Sequence, residues 1–196
     1  RAEKKGYSGV AIYTRERPLD VIEGIDNPTF DCEGRTLTAQ FQDFTLINAY
    51  FPNGQRDHAR VPYKLDYCAN FLTHCQAQQS RCDHLVLCGD FNTAHRSIDL
   101  ARPQSNRNTT GFLPAERAWI DQLIHAGYVD IFREIHGEIE GKYTWWSNRK
   151  GVRERNIGWR IDYHFVSKSM RSRVRDVYHL DEIFGSDHCP LALEFE

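Results

Sequence analysis

The stretch "LVLCGDFNTAHRSIDL", residues 85–100, decides the fold, because an apolar run in it ends abruptly at two polar side chains. The run 85–88 is typical of a strand that is covered on both faces. Asp90 and Asn92 follow it two residues apart, so their side chains can share one side of the strand. They offer a base or metal ligand and an amide group, but the pair equally suits an Asx turn that closes the strand.

Length and composition describe an ordinary globular chain. Its 196 residues suit a single domain, 1–196, that buries a sizeable core without staples. The 25 Lys and Arg residues nearly balance the 27 Asp and Glu residues, so net charge names no partner and any nucleic-acid signal must be local. The six cysteines lack zinc spacing and indicate reduced thiols in a cytoplasmic or nuclear protein. No stretch has the length of a membrane span, so we expect no membrane partner.

Alternating and β-branched residues predict six strands: 7–14, 35–41, 44–51, 84–90, 160–167 and 189–196. The second and third of these read as a hairpin. Apolar residues at steps of three and four predict a helix over 57–79, and a second helix begins near Pro114 and stops near Gly127. Polar loops fill 102–111 and 147–158. Strands intermixed with helices indicate an α/β sandwich with helices outside.

Further polar residues lie at other predicted strand ends. Asp187 and His188 directly precede the last strand, where they could form a cap or a turn, or a metal ligand beside a proton carrier. Asp162 lies in an apolar strand and needs a partner, because a lone buried carboxylate is costly. We predict His188 as that partner in preference to His164, since a carboxylate fixes the tautomer of a histidine and raises its pKa.

A third polar group follows the strand at 44–51. Tyr50 and Asn53 flank a proline-containing turn, and they could also be a core aromatic and a turn former. Carboxylates, a histidine, asparagines and a tyrosine gathered at strand ends suit hydrolysis of phosphodiesters. Oxygen ligands favour Mg²⁺ or Mn²⁺ over zinc. The sequence contains neither a Walker loop nor a GxSxG motif, which argues against an NTPase or a serine hydrolase.

The segment 141–160 carries the substrate signal. It contains six basic residues and one acidic residue, interleaved with Tyr143, Trp145, Trp146 and Trp159. Cations with aromatics suit a surface that grips phosphates and stacks on bases or wedges between them, although a solvated loop over a small aromatic core gives the same pattern. The candidate phosphate contacts are three: Arg149, Lys150 and Arg153.

Motifs along nearly the whole chain resemble one family, the exonuclease III-type apurinic/apyrimidinic (AP) endonucleases of the endonuclease/exonuclease/phosphatase superfamily. The matching strings include "NAYFPNG", "LVLCGDFNTAHRSIDL", "GFLPAER", "NIGWRIDYHFVS" and "GSDHCPLALEFE". The order of "GWRIDY" and "GSDHCP" separates the chain from the wider group of DNase I-like nucleases and inositol or lipid phosphatases. The resemblance implies a DNase I-like four-layer α/β sandwich, with two packed β-sheets flanked by helices.

The resemblance also implies roles for individual catalytic residues. Asp90 corresponds to the carboxylate that orients or deprotonates the attacking water, and Asn92 to its water- and phosphate-binding partner. His188 corresponds to the histidine that hydrogen-bonds the scissile phosphate, with Asp162 in support. Tyr50 corresponds to the phenol that contacts the phosphate and stabilises the leaving oxygen.

The remaining implied roles concern metal and substrate. Mg²⁺, with Mn²⁺ as an alternative, is expected at three oxygen ligands: Asp187, Asp90 and Asn92. Asn53 corresponds to a contact with the DNA backbone. Trp145 and Trp159 match positions that wall the pocket for a flipped abasic sugar.

The implied activity is hydrolysis 5′ to abasic sites in double-stranded DNA by a monomeric enzyme. The same site could process blocked 3′ ends as a 3′-phosphodiesterase, 3′-phosphatase or 3′→5′ exonuclease. A phosphatase of lipid or inositol substrates remains an alternative.

One departure from the family concerns the start of the chain. Members begin with a strand bearing an Asn, then a helix and a strand bearing a Glu metal ligand, whereas this sequence enters the pattern at "KKGYSG", residues 4–9. We expect the fold to lack this N-terminal strand-helix-strand, and the full protein to contain it. An inactive DNA-binding remnant is the alternative if the segment is truly absent.

Overall fold

The computed structural model describes all residues, 1–196, and contains ten strands and six helices. The strands are β1 (Asp20–Glu23), β2 (Thr36–Gln40), β3 (Thr45–Tyr50), β4 (Leu85–Asp90), β5 (Tyr128–Asp130), β6 (Trp145–Trp146), β7 (Gly158–Trp159), β8 (Asp162–Ser167), β9 (Val174–His179) and β10 (Leu191–Phe195). The helices are α1 (Pro28–Asp31), α2 (Val61–Gln79), α3 (Pro103–Asn106), α4 (Pro114–His125), α5 (Ile131–His136) and α6 (Lys168–Arg171), with a 3₁₀ turn at Ser97–Asp99. None of the helices combines the length and the hydropathy that crossing a bilayer requires.

The main sheet has six strands in the order β1-β2-β3-β4-β8-β5. Its central pair, β3 and β4, is parallel, and the other pairs are antiparallel. A parallel pair needs a crossover connection, and α2 with its flanking loops supplies it between β3 and β4. Two further sheets have two strands each, β9 with β10 and β6 with β7.

One face of the main sheet is covered by helices. Ile47, Leu87 and Phe165 point from three neighbouring strands into a cluster with Phe71 of α2 and Trp119 of α4. These five side chains are at most 5% exposed. Burying an aliphatic or aromatic side chain of this kind stabilises a fold by about 1.5–3 kcal/mol, so this cluster fixes the helices on the sheet.

The opposite face of the main sheet packs on the β9–β10 sheet. Val86 and Val166 alternate with the residues of the first cluster and meet Val177 of β9 and Leu193 of β10. Helices α5 and α6 close the edge of this second cluster through Phe132, Met170 and their neighbours. The expected arrangement of two packed sheets flanked by helices is therefore confirmed.

The predicted hairpin and both long helices are confirmed, but one predicted strand is missing and one helix begins later than predicted. Residues 7–14 form no strand, because their backbone joins no ladder; Asn48 Nδ2 donates to the carbonyl of Ala11 at 3.1 Å instead. Helix α2 begins at Val61 rather than at residue 57, since His58 has a positive φ of 63° that breaks the helical turn. Five strands were not predicted, namely β1, β5, β6, β7 and β9, and neither were the short helices α1, α3, α5 and α6.

Gly89 lets the two central strands approach each other. Its φ is +127°, and a Cβ atom there would lie 2.0 Å from the carbonyl oxygen of Ala49 on β3. No side chain larger than hydrogen fits between these strands, and the next residue is Asp90. The close approach therefore sets the position of the polar end of β4.

We predict that Gly89→Ala lowers the free energy of unfolding by at least about 2 kcal/mol, since it adds a backbone clash to an unfavourable φ. Urea denaturation measures the loss. Gly127→Ala is the matched control, because Gly127 has a φ of +104° but no heavy atom within 4 Å of the new Cβ. Equal losses in the two variants would show that the approach of β3 to β4 is not restrictive.

Candidate active site

Strand register places three of the expected residues in one row. Tyr50 pairs with Asp90 across the parallel β3–β4 ladder, and Asp90 pairs with Asp162 across the antiparallel β4–β8 ladder. Residues that pair directly across a ladder project from the same face of the sheet. A phenol and two carboxylates from three separate sequence segments therefore lie side by side at one end of the main sheet.

Asp90 and Asn92 form a tight turn as well as part of this site. Asn92 has a left-handed φ of 49°, and its backbone N–H donates to Asp90 Oδ1 at 2.7 Å. Its Nδ2 donates to Asp90 Oδ2 and to the carbonyl of Phe51, both at 3.0 Å, and its Oδ1 accepts from Asn53 Nδ2 at 3.1 Å. The Asx turn and the functional interpretation are thus compatible, because the turn orients the Asp90 carboxylate.

A buried ion pair between Lys64 and Glu116 stabilises this turn. Lys64 Nζ donates to the carbonyl of Asn92 at 2.7 Å and to Glu116 Oε1 at 2.6 Å. Both side chains are at most 2% exposed. The pair was not predicted, although the sequence carries a signal for it: Lys64 shares a helical face with the buried Tyr67 and Phe71, where an unpaired lysine is rare.

Asp162 holds His188 as predicted. Asp162 Oδ2 lies 2.9 Å from His188 Nδ1. Burial alone would lower the pKa of His188, but the hydrogen bond and charge of Asp162, with the charges of Asp90 and Asp187, raise that pKa to about 8. The imidazole Nε2 makes no hydrogen bond within the protein. At neutral pH His188 is largely protonated, so its Nε2–H group can donate a hydrogen bond to an anion.

Thr144 stabilises the Asp162–His188 pair through its hydroxyl group. Its hydroxyl donates to Asp162 Oδ2 at 2.7 Å and accepts from the backbone N–H groups of Ile161 and Asp162 at 3.0 and 3.1 Å. The residue is fully buried. Thr144 was not predicted as a site residue, because a lone threonine beside two tryptophans carries no distinguishing pattern.

The two neighbouring carboxylates of the row, Asp90 and Asp162, repel each other. Burial and the neighbouring Asp162 raise the pKa of Asp90 to about 7, while His188 opposes the rise. Burial and the charge of Asp90 also raise the pKa of Tyr50, so its phenol stays protonated and can donate a hydrogen bond. Two adjacent carboxylates and a neutral phenol favour a bound cation or a proton at Asp90.

A cleft of about 1050 Å³ opens above this row. It is lined by most of the predicted site residues: Tyr50, Asn53, Asp90, Asn92, Trp145, Arg149, Lys150, Trp159, Asp187 and His188. Three further cations line it that sequence analysis did not select: Arg56, Arg102 and Arg155. Trp145 and Trp159 pair directly across the β6–β7 hairpin, whereas Trp146 is buried in a small core.

The prediction of Arg153 as a phosphate contact is not supported by its position. Its guanidinium donates to the backbone carbonyls of Ser186, Asp181 and Ile183 at 2.7–3.0 Å, and the side chain does not line the cleft. Arg153 was predicted together with Arg149 because both lie in one basic loop. Charge composition alone does not reveal which cations a folded loop turns inward.

The oxygen donors fit a hard divalent ion only as a sparse set. Asp90, Asn92 and Asp187 supply carboxylate and amide oxygens at the cleft. No group of three or more His, Cys, Asp or Glu side chains is arranged to hold a metal ion. A sparse set suits Mg²⁺, which usually keeps several waters and binds through one or two carboxylates. The raised pKa of Asp90 is the further observation that agrees with a cation there.

The geometry agrees with comparisons to known proteins. The sequence profile described as the Endonuclease/Exonuclease/phosphatase family matches residues 1–188. The chain belongs to this family. Within it the chain groups with exonuclease III-type AP endonucleases, which makes it a hydrolytic nuclease of a generally metal-dependent class.

Two curated relatives of this family member cover almost all of it. The exodeoxyribonuclease of Bacillus subtilis is 42% identical over 192 residues, which are 98% of this chain and 76% of the relative. The DNA repair nuclease APEX1 of Danio rerio is 41% identical over 191 residues, 97% of this chain and 61% of the relative. The chain therefore spans about three quarters and three fifths of their lengths.

Solved structures give the same result for the fold. A 3′-5′ exonuclease from Neisseria meningitidis aligns with a TM-score of 0.85 at 31% identity and covers 91% of this chain and 72% of its own. An AP endonuclease from Archaeoglobus fulgidus aligns with a TM-score of 0.84 at 31% identity, over 92% of this chain and 72% of its own. The predicted DNase I-like fold class is confirmed.

We predict that Asp162→Asn lowers the pKa of His188 clearly below about 8, because the hydrogen bond and charge that raise it are weakened while burial still lowers it. NMR titration of the His188 ring measures this in metal-free protein. Asp176→Asn is the control, since Asp176 lies 3.5 Å from His136 and does not contact His188. An unchanged His188 titration in Asp162→Asn would remove Asp162 from this role.

Proposed function

We propose that this protein hydrolyses the phosphodiester 5′ to abasic sites in double-stranded DNA. The observation that carries the proposal is the row Tyr50, Asp90 and Asp162: Tyr50, Asp90 and His188 line a cleft that cations and tryptophans also line, and Asp162 holds His188. Two of the relatives are named as a DNA repair nuclease and an AP endonuclease, which supports DNA as the substrate class. We further propose that residues 1–196 form one domain and act as a monomer.

We assign each part of the reaction to a residue in the row or beside it. Water attacks the phosphorus, the bond from phosphorus to the 3′ oxygen of the preceding nucleotide breaks, and the products are a 3′-hydroxyl and a 5′-deoxyribose phosphate. Asp90 positions the water and accepts its proton, since its carboxylate lines the cleft and the Asn92 turn holds it in place. Asn92 keeps the Asp90 carboxylate oriented through the turn described above.

Two donors then act on the phosphate. His188, held by Asp162, donates a hydrogen bond from Nε2 to a phosphate oxygen. Tyr50 donates a hydrogen bond from its phenolic O–H to the leaving 3′ oxygen, which takes up a proton from solvent to give the 3′-hydroxyl. Each such preorganised donor is worth roughly 3–4 kcal/mol of transition-state stabilisation. Asp90, Asn92 and Asp187 would hold Mg²⁺, or alternatively Mn²⁺, which when bound would supply positive charge to offset the charge developing on the phosphate.

The cleft walls provide selectivity. Trp145 and Trp159 pack beside Ile161 and form an apolar wall next to the row, which suits a sugar that has lost its base. A nucleotide without a base leaves the stack at low cost, so it reaches this wall more readily than an intact one. Asn53 lines the cleft, and we assign it a contact with the DNA backbone.

The same site is proposed to process 3′ ends. The Neisseria structures are titled as a 3′-5′ exonuclease and as a 3′ phosphatase bound to a DNA product, which supports this second activity. A 3′-terminal phosphate or sugar fragment presents the same scissile phosphorus–oxygen bond to Asp90 and His188. The two activities therefore use one set of residues.

We predict that Asp90→Asn reduces nicking of a duplex with one abasic-site analogue by roughly 10²–10⁴-fold, because the amide cannot accept a proton. Gel electrophoresis with Mg²⁺ and with EDTA measures nicking, and a fluorescence shift measures binding, which is expected to persist. Glu138→Gln is the control, since Glu138 is exposed and contacts Arg96 rather than the row.

Three other outcomes of this assay contradict the proposal. Nicking that survives Asp90→Asn within a few-fold would exclude Asp90 as the group that handles water. Binding by the wild type without nicking would support an inactive DNA-binding remnant. Indifference to the duplex, with release of phosphate from a lipid or inositol phosphate, would support the phosphatase alternative.

We predict that Arg149→Ala with Lys150→Ala flattens the salt dependence of DNA binding by up to about two in the logarithmic slope, because each phosphate contact contributes about 0.9. Binding titrations across a range of salt concentrations measure the slope. The charge-matched control is Lys168→Ala with Arg175→Ala, two exposed residues outside the cleft. An unchanged slope in the Arg149 and Lys150 variant would remove this loop from the interface.

A further inference from the structure

Arg153 is the centre of a contact between two segments that carry site residues. Its Nη1 donates to the carbonyl of Ser186 at 2.9 Å, and its Nη2 donates to the carbonyls of Asp181 and Ile183 at 3.0 and 2.7 Å. All three acceptors lie in the segment 181–186, which directly precedes Asp187 and His188. The guanidinium of Arg153 therefore holds the segment 181–186, which leads into the site.

Two aromatic rings enclose the same guanidinium. Its carbon atom lies 4.5 Å from the ring centroid of Trp146 and 4.4 Å from that of Phe184. The Trp146 ring is buried, and the Phe184 ring is 73% exposed, so Arg153 links a small core to an exposed ring of the segment 181–186. Planar stacking combined with three in-plane donors is a geometry that arginine provides and lysine does not.

Backbone hydrogen bonds also hold Asp187 and Cys189, the residues on either side of His188. The N–H of Trp146 donates to the carbonyl of Asp187 at 2.9 Å, and the N–H of Cys189 donates to the carbonyl of Thr144 at 2.8 Å. Trp145 Nε1 donates to Asp187 Oδ2 at 3.1 Å. Backbone hydrogen bonds therefore hold the residues on both sides of His188, and Arg153 holds the segment that precedes them.

We propose that Arg153 is a positioning residue that holds the segment 181–186 so that Asp187 and His188 face the phosphate. Its positive charge is used on backbone carbonyls and not on DNA, in contrast to Arg149 and Lys150 in the same loop. The catalytic part of this inference rests on the proposed function, whereas the structural part does not.

The two parts predict different measurements. Loss of the guanidinium releases the loop, so the amides of His188 and Cys189 exchange faster with solvent while those of β3 and β4 do not. Misplaced donors slow the chemical step, so kcat for nicking falls by roughly 10- to 100-fold. KM changes by less than about threefold, and the salt slope of DNA binding stays as in the wild type, because no phosphate contact is lost.

The experiment uses the full chain with Arg153→Ala, Arg153→Lys and the control Arg175→Ala, whose side chain is exposed on β9 and pairs with Glu196. Hydrogen exchange by NMR gives the loop readout, and nicking of the abasic duplex gives kcat and KM. Free guanidinium, at concentrations that leave the wild type folded, is added to Arg153→Ala and is expected to restore part of kcat. Arg153→Lys keeps the charge and is expected to behave like Arg153→Ala.

The outcomes separate the two proposals. Unchanged exchange at His188 and Cys189 in both Arg153 variants would overturn the positioning role, as would faster exchange spread evenly over the whole protein. A salt slope reduced by about one unit would assign Arg153 to a phosphate instead. Faster loop exchange in a protein whose wild type never nicks DNA would retain the structural link and refute the proposed function.

Discussion

The register that aligns Tyr50, Asp90 and Asp162 is the constraint on which the rest of the site depends. Hydrogen bonds in two ladders, one parallel and one antiparallel, set it. A shift of one residue in either ladder would turn the affected side chain to the opposite face of the sheet. The helical cluster on one face and the β9–β10 sheet on the other make such a shift costly, since both are packed against fixed alternating residues.

This row places two carboxylates side by side, and much of the surrounding structure compensates for that repulsion. His188 and the Thr144 hydroxyl satisfy Asp162, while the Asn92 turn satisfies Asp90. A second network secures the entry of β8. Arg160 is 1% exposed and bonds Asp99 and Asp130 through its guanidinium at 2.7–3.0 Å. A buried arginine with two carboxylate partners resists displacement, because breaking one contact leaves an uncompensated charge.

Much of the fold and part of the site could be predicted from the sequence. The continuous apolar run 85–88 and the stripes of α2 and α4 reflect burial directly, so periodicity was sufficient for them. The pairing of Asp162 with His188 followed from the cost of burying a carboxylate, a local argument that needs no coordinates. The resemblance to a known family supplied the roles that strand ends alone left open.

The rest depends on tertiary geometry that no local pattern encodes. Thr144 and the Lys64–Glu116 pair act through partners distant in sequence, such as Asp162 and Asn92. Arg153 and Arg149 are four residues apart with the same charge, yet one bonds backbone carbonyls and the other lines the cleft. The expected strand at 7–14 failed for a related reason, since alternation shows that a segment could pair but not that a partner is present.

In the proposed reaction, the row directs water onto a phosphorus atom. Cleavage of a single-abasic-site duplex in water enriched in ¹⁸O, followed by mass spectrometry of both product ends, tests this directly. We predict one ¹⁸O atom in the 5′-phosphate of the deoxyribose product and an unlabelled 3′-hydroxyl on the other strand end. Products without ¹⁸O in that phosphate, or with an unsaturated sugar at the 3′ end, would show bond breakage by elimination and would contradict it.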